Sequence, residues 1–177
     1  MSRQSEVIHE RGNSLGSDLR TRVRNAVEAA SVLDMHTHLF APQFGELNLW
    51  GIDELLTYHY LVAEFFRYSG TPYEQFWRMP RSAQADLIWE TLFVRNTPLS
   101  EAAAGVVTVL TALGLDPAAP DLREARAFFR AQDPEAHLDR VLTLAGVSEI
   151  VMTNDPFDPA EASVWTAGLP IDPRFRA

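Results

Sequence analysis

Residues Ser31 to Phe40 read SVLDMHTHLF, and the fold turns on them. The run is short, apolar and alternating, which predicts a β-strand over about 31–36. Asp34, His36 and His38 stand at i, i+2 and i+4, so an extended strand carries all three on one face. Leu33, Met35 and Leu39 then take the other face and suit packing against a helix layer. Two imidazoles at this spacing can chelate one divalent ion if further ligands converge, with Zn–N near about 2.0–2.1 Å. An edge strand with its polar face in solvent would give the same pattern. The end of such a strand is where α/β proteins gather their chemistry, because the following loops assemble there.

Upstream, residues 1–16 are polar and mixed in charge and read as a flexible arm with no signal-peptide core. From Ser17, a capping residue, SDLRTRVRNAVEAA predicts a helix with Leu19, Val23, Ala26, Val27 and Ala30 on one face. Downstream, Pro42 and Gly45 mark a loop. A single helix is then predicted over about 52–68, from the spacing of Ile52, Leu55, Leu56, His59, Val62, Ala63 and Phe66. This puts His59 on an apolar helix face, with Tyr60 beside it. A histidine in such company is ordinarily a core residue, yet it can also shuttle protons near neutral pH. A tyrosine hydroxyl can exchange hydrogen bonds with a sugar oxygen.

Further helices are predicted at 72–78, 81–93, 100–113, 121–131 and 134–145, with Ser100 capping its helix and Gly114 and Pro117 ending it. Phe65, Phe66, Phe76, Trp77, Trp89, Phe128 and Phe129 read as core packing. His9 in the arm and His137 on a polar helix surface read as solvated. VSEIVM at 147–152 follows Gly146 and predicts a buried strand; TNDPFDP after it is a turn-rich loop, and RFRA at 174–177 resembles the opening of another strand.

The chain has 177 residues, 46 % hydrophobic and 22 % charged, the composition of one globular domain or part of a larger one. Its 24 acidic residues outweigh 15 basic ones to give −9, which argues against nucleic acid as a partner. Every basic residue is arginine, so Schiff-base, P-loop and carbamylated metal-bridging lysines are excluded. There is no cysteine either, which excludes disulfides and thiolate zinc sites. The longest uncharged stretch, 102–115, is too short to span a bilayer. The expectation is a soluble, cytoplasmic protein that binds no membrane.

The predicted order is helix, strand, a block of helices, strand, loop and the start of a third strand. It indicates an α/β fold with a large helical insertion at about 50–145. A (β/α)8 barrel uses roughly 250 residues and eight strands, so the sequence reads as incomplete at its C-terminal end.

Three motifs now come together: Asp34-Met35-His36-Thr37-His38-Leu39, then Leu55-Leu56-Thr57-Tyr58-His59-Tyr60, then Thr153-Asn154-Asp155-Pro156 after a strand. With the helical block between them, they resemble the uronate isomerases of the amidohydrolase superfamily, which are metal-dependent TIM barrels. The resemblance covers nearly all of 30–177 but only the N-terminal part of the family's barrel. It implies that 17–177 form a partial barrel domain. It implies His36 and His38 as ligands of a divalent metal, zinc first, and His59 and Tyr60 at the substrate's reacting end. The substrate would be a small sugar acid such as D-glucuronate, isomerised from aldose to ketose through an enediol without a redox cofactor. Asn154 stands where the family has an aspartate, and no role is assigned to it. Arg174 or Arg176 could be offered for the family's substrate-binding arginine, but the better alignment puts that residue just past Ala177.

Two other readings stand beside this one. An amidohydrolase-type enzyme acting on an amide, lactone or ester would share His36 and His38 but leave His59 and Tyr60 without a task. If the polypeptide ends at Ala177, a non-catalytic or partner-dependent fragment fits as well. An apolar seam on an incomplete barrel would favour self-association into a homo-oligomer.

Overall fold

The computed structural model describes residues 18–37, 39–47, 50–153, 155 and 157–176. The arm, His9, the Ser17 cap, His38 and Asn154 lie outside the described residues. Helix α1 (18–28) leads into strand β1 (Val32–Thr37), and a 3-10 helix (Pro42–Leu47) follows. Seven helices come next: α2 (Ile52–Leu56), α3 (His59–Tyr68), α4 (Tyr73–Trp77), α5 (Arg81–Trp89), α6 (Glu101–Leu113), α7 (Arg123–Ala131) and α8 (Pro134–Ala145). Then follow β2 (Val147–Met152), α9 (Pro159–Thr166) and β3 (Phe175–Arg176). The strands form one parallel sheet in the order β1-β2-β3. Parallel neighbours need crossovers, supplied here by α2–α8 and by α9. The α/β class and the helical excursion after the first strand are as the sequence predicts.

Local chemistry sets the helix ends. Ser100 Oγ accepts from the Ala103 N–H at 3.1 Å to start α6, and the Asp133 carboxylate accepts from Ala136 N–H at 2.9 Å to start α8. Gly146 closes α8 at φ 66°, a left-handed conformation that glycine adopts without steric penalty, and β2 begins at the next residue.

Three predicted spans are corrected. The helix over 52–68 is two helices, because Thr57 ends α2 by turning both its N–H (3.0 Å) and its Oγ1 (2.7 Å) to the Asp53 carbonyl. Tyr58 is then extended (φ −66°, ψ 142°) and α3 starts afresh at His59. The helix over 81–93 ends as a wider π turn, Glu90–Val94, and the Phe93 ring there stacks on Trp89, the last residue of α5, at 4.6 Å. And the segment after TNDPFDP holds α9, capped by Asp158 on Ala160 N–H at 2.8 Å with Pro159 in the first turn.

Two apolar cores result. One lies inside the helical block, centred on Phe65, Phe76, Ile52, Leu56, Ile88, Leu110 and Leu122. The other joins Ile150, Met152 and Phe175 of the sheet to Leu142 of α8 and to Ala41 and Phe44. Of the predicted core aromatics, Phe65, Phe76, Trp89 and Phe129 are buried and Phe66 and Phe128 partly so. Trp77 is the exception: it sits at the end of the short helix α4, edge-on to Phe76 and half exposed. Leu33 and Met35 also depart from expectation. They are exposed, because the core on this sheet forms over the face that carries Ile150, Met152 and Phe175. The apolar stripe of α1, Leu19, Val23 and Val27, is exposed too. Among the described residues no helix is long and apolar enough to cross a membrane.

Candidate active site

The predicted ligand strand, β1, is not regular. Val32 stands opposite Val147 and Leu33 opposite Glu149, so β2 holds an extra residue there. Asp34 then stands opposite Ile150 and Thr37 opposite Met152, so β1 holds the next extra residue. Simple alternation therefore fails between Asp34 and Thr37. Asp34 is half buried, while Met35 and His36 are both exposed. The bulge is held by the Asp34 carboxylate, which accepts the His36 backbone N–H at 3.0 Å. His36 thus stands exposed near the C-terminal end of β1.

The strand ends are tied together. Thr153 donates to the Thr37 carbonyl through its Oγ1 (2.7 Å) and its N–H (3.3 Å). The loop beyond β2 is held by Glu161, a buried carboxylate in the first turn of α9 that accepts from the Asp155 N–H at 2.8 Å. Sequence reasoning missed Glu161. Its signal was present: an Asp158 cap followed three residues later by a glutamate is a capping pattern.

His59 and Tyr60 open α3 at the break after Tyr58. Both are exposed, Tyr60 at 61 %, so the placement of His59 on a buried apolar face is corrected. Their rings lie 4.1 Å apart, and Tyr58 packs on His59 at 4.2 Å. Burial, then the neighbouring Tyr60, pushes the Tyr58 hydroxyl above its ordinary pKa.

His137, expected to be solvated, is 7 % exposed. Trp50 packs edge-on to it at 4.9 Å and Phe129 at 5.5 Å, and its Nδ1 has no hydrogen-bond partner among the described residues. Burial first and the Arg140 charge second depress its pKa. It belongs to an apolar groove of about 380 Å³ that Trp50, Val109, Leu113, Leu138 and Val141 also line; His36, His59 and Tyr60 do not reach it. The two arginines near the chain's end are held by carboxylates of this chain. Arg174 donates to Asp172 (2.6 Å) and Asp139 (2.7 Å), and Arg176 pairs with Glu149. Arg174 holds the Asp172 carboxyl below the usual carboxylate range. Among the described residues no three histidine, aspartate or glutamate side chains cluster as a metal site.

A parallel sheet whose first strand carries an exposed histidine near its C-terminal end, with a helical block as its first crossover, defines an α/β protein. Over 90 % of its length the chain matches the crystal structure of a uronate isomerase from Bacillus halodurans C-125, at 54 % identity and a TM-score of 0.86. The chain is thus similar to that uronate isomerase over nearly all of its own length, and it spans 38 % of the length of that protein. No family model matches the chain, and no curated protein does.

Proposed function

We propose that this chain carries part of the active site of an aldose–ketose isomerase for a hexuronate, of the D-glucuronate to D-fructuronate type. The observation that carries this is the 54 % identity to a uronate isomerase across nearly the whole chain. In this reading 17–177 are part of a (β/α)8 barrel and the protein works in the cytoplasm. The reaction moves one proton from C2 to C1 through an enediol; the C2 hydroxyl gives up a proton, the C1 carbonyl oxygen gains one, and nothing is oxidised overall. His59 is suited to transfer that proton or to assist ring opening, and Tyr60 to hydrogen-bond the sugar oxygen beside it. Their exposure at a helix start leaves both within reach of a substrate.

A divalent ion, zinc first, fits the donors in kind: His36 is an exposed imidazole at a strand end and His38 lies two residues on. Those two would hold it, with further ligands from beyond the described residues. Bound there, it would supply stabilisation of the negative charge that develops on the sugar oxygens.

The test uses the protein as its own gene produces it, incubated with D-glucuronate and zinc. Turnover is expected in the wild type and lost in His59→Ala and Tyr60→Phe, and His36→Ala lowers the bound zinc. Unchanged turnover in both His59→Ala and Tyr60→Phe refutes their roles. Turnover of lactones or amides in place of uronates would convert the assignment to a hydrolase.

A further inference from the structure

We infer that Tyr58 is a positioning residue that fixes the orientation of the His59 imidazole; its consequence for turnover rests on the isomerase reading above. A histidine in the first turn of a helix, exposed on its outer side, has several side-chain rotamers open to it. Here three consecutive rings pack on one another: Tyr58 on His59 at 4.2 Å with 48° between planes, His59 on Tyr60 at 4.1 Å, and Tyr58 edge-on to Tyr60 at 5.6 Å. Tyr60 is 61 % exposed, so the protein covers less of it than of Tyr58. Tyr58 is half buried and extended, outside the helix that His59 begins, so its ring comes to His59 from a separate direction.

The backbone under Tyr58 is anchored as well. Thr57 is fastened to the Asp53 carbonyl, and the Asp53 carboxylate accepts from Arg126 Nε at 2.9 and 3.2 Å. Arg126 also donates to the Ser82 carbonyl and pairs with Asp86, each at 2.8 Å, so α2, α5 and α7 are joined behind the turn. Tyr58 follows directly on this frame, and its carbonyl accepts the Leu61 and Val62 N–H groups at 3.0 and 3.2 Å, which ties it to α3 as well. The contact with His59 is made through its ring.

The test reads the imidazole directly, by NMR of the intact labelled chain. In the wild type, Overhauser contacts between the Tyr58 and His59 rings are expected, with the His59 ring protons displaced upfield by the tyrosine ring current. Tyr58→Leu removes that displacement and Tyr58→Phe keeps it. In the active protein, Tyr58→Leu lowers kcat by roughly tenfold to a hundredfold while KM moves by less than about twofold, and Tyr58→Phe restores turnover. Absence of the ring contact in the wild type overturns the inference, and needs no variant to fold. So does a Tyr58→Leu protein with unchanged His59 resonances, or a Tyr58→Phe protein as impaired as Tyr58→Leu. A wild type inactive on every hexuronate sinks the isomerase reading instead, and the NMR result alone then decides on Tyr58.

Discussion

In the helical block, Phe65, Phe76, Leu56 and Ile88 have almost no accessible surface, whereas in the sheet corner Leu33 and Met35 keep 46 % and 65 % of theirs. The block covers its own apolar side chains through contacts among α2 to α7. The sheet covers one face with α8, α9 and the segment after β1, and leaves apolar side chains of β1 in the open. The two regions thus differ in how they cover their apolar side chains. The block supplies buried area and holds the turn that bears His59 and Tyr60; the sheet corner supplies the strand end that bears His36.

The division can be broken most forcefully inside the block. Phe65→Ala removes a fully buried ring and is expected to cost about 3–5 kcal/mol, read as a lower urea midpoint by circular dichroism. A loss below about 1 kcal/mol would mean that the block is not the seat of stability. A smaller effect should come from acid. Burial holds the folded pKa of His137 below its ordinary value of about 6.5, so below that pH the unfolded chain binds more protons than the folded one. Stability therefore falls as pH drops through 6.5 toward the folded pKa, and His137→Phe should flatten that part of the profile in urea titrations at stepped pH. An unaltered slope would show that carboxylates alone set the acid response. The smallest change is expected on the open strand: Met35→Thr should stay within about 0.5 kcal/mol of the wild type in the same titration. A loss several times larger would show that this face of β1 is covered in solution.

What was legible in the sequence followed the range of the forces involved. Caps and stops act over a few residues, so Ser100, Gly114 and Gly146 announced their helix ends directly. The break at Tyr58 was hidden because the apolar spacing runs on through it. What interrupts the helix is a threonine hydroxyl on a carbonyl, on a turn braced by Arg126 from 73 residues away. His137 misled for the same reason: Glu135, Asp139 and Arg140 surround it in sequence, while Trp50 comes to it from far along the chain. The strand that bears His36 was legible from its alternation, but its irregular register was not, since that depends on pairing with β2. The capping pattern of α9 was there to be read and was passed over as turn.

The two irregularities between β1 and β2 cancel. Val32 faces Val147 and Thr37 faces Met152, and each strand has six residues, yet the divisions between those ends do not coincide. The pair is built like a vernier, two scales of equal length with unequal graduations. Sliding one graduation changes where an intermediate mark falls without shifting either end of the scale. The irregular pairing is thus confined to 33–36, and the Thr37–Thr153 fastening lies beyond it, where the two scales agree again.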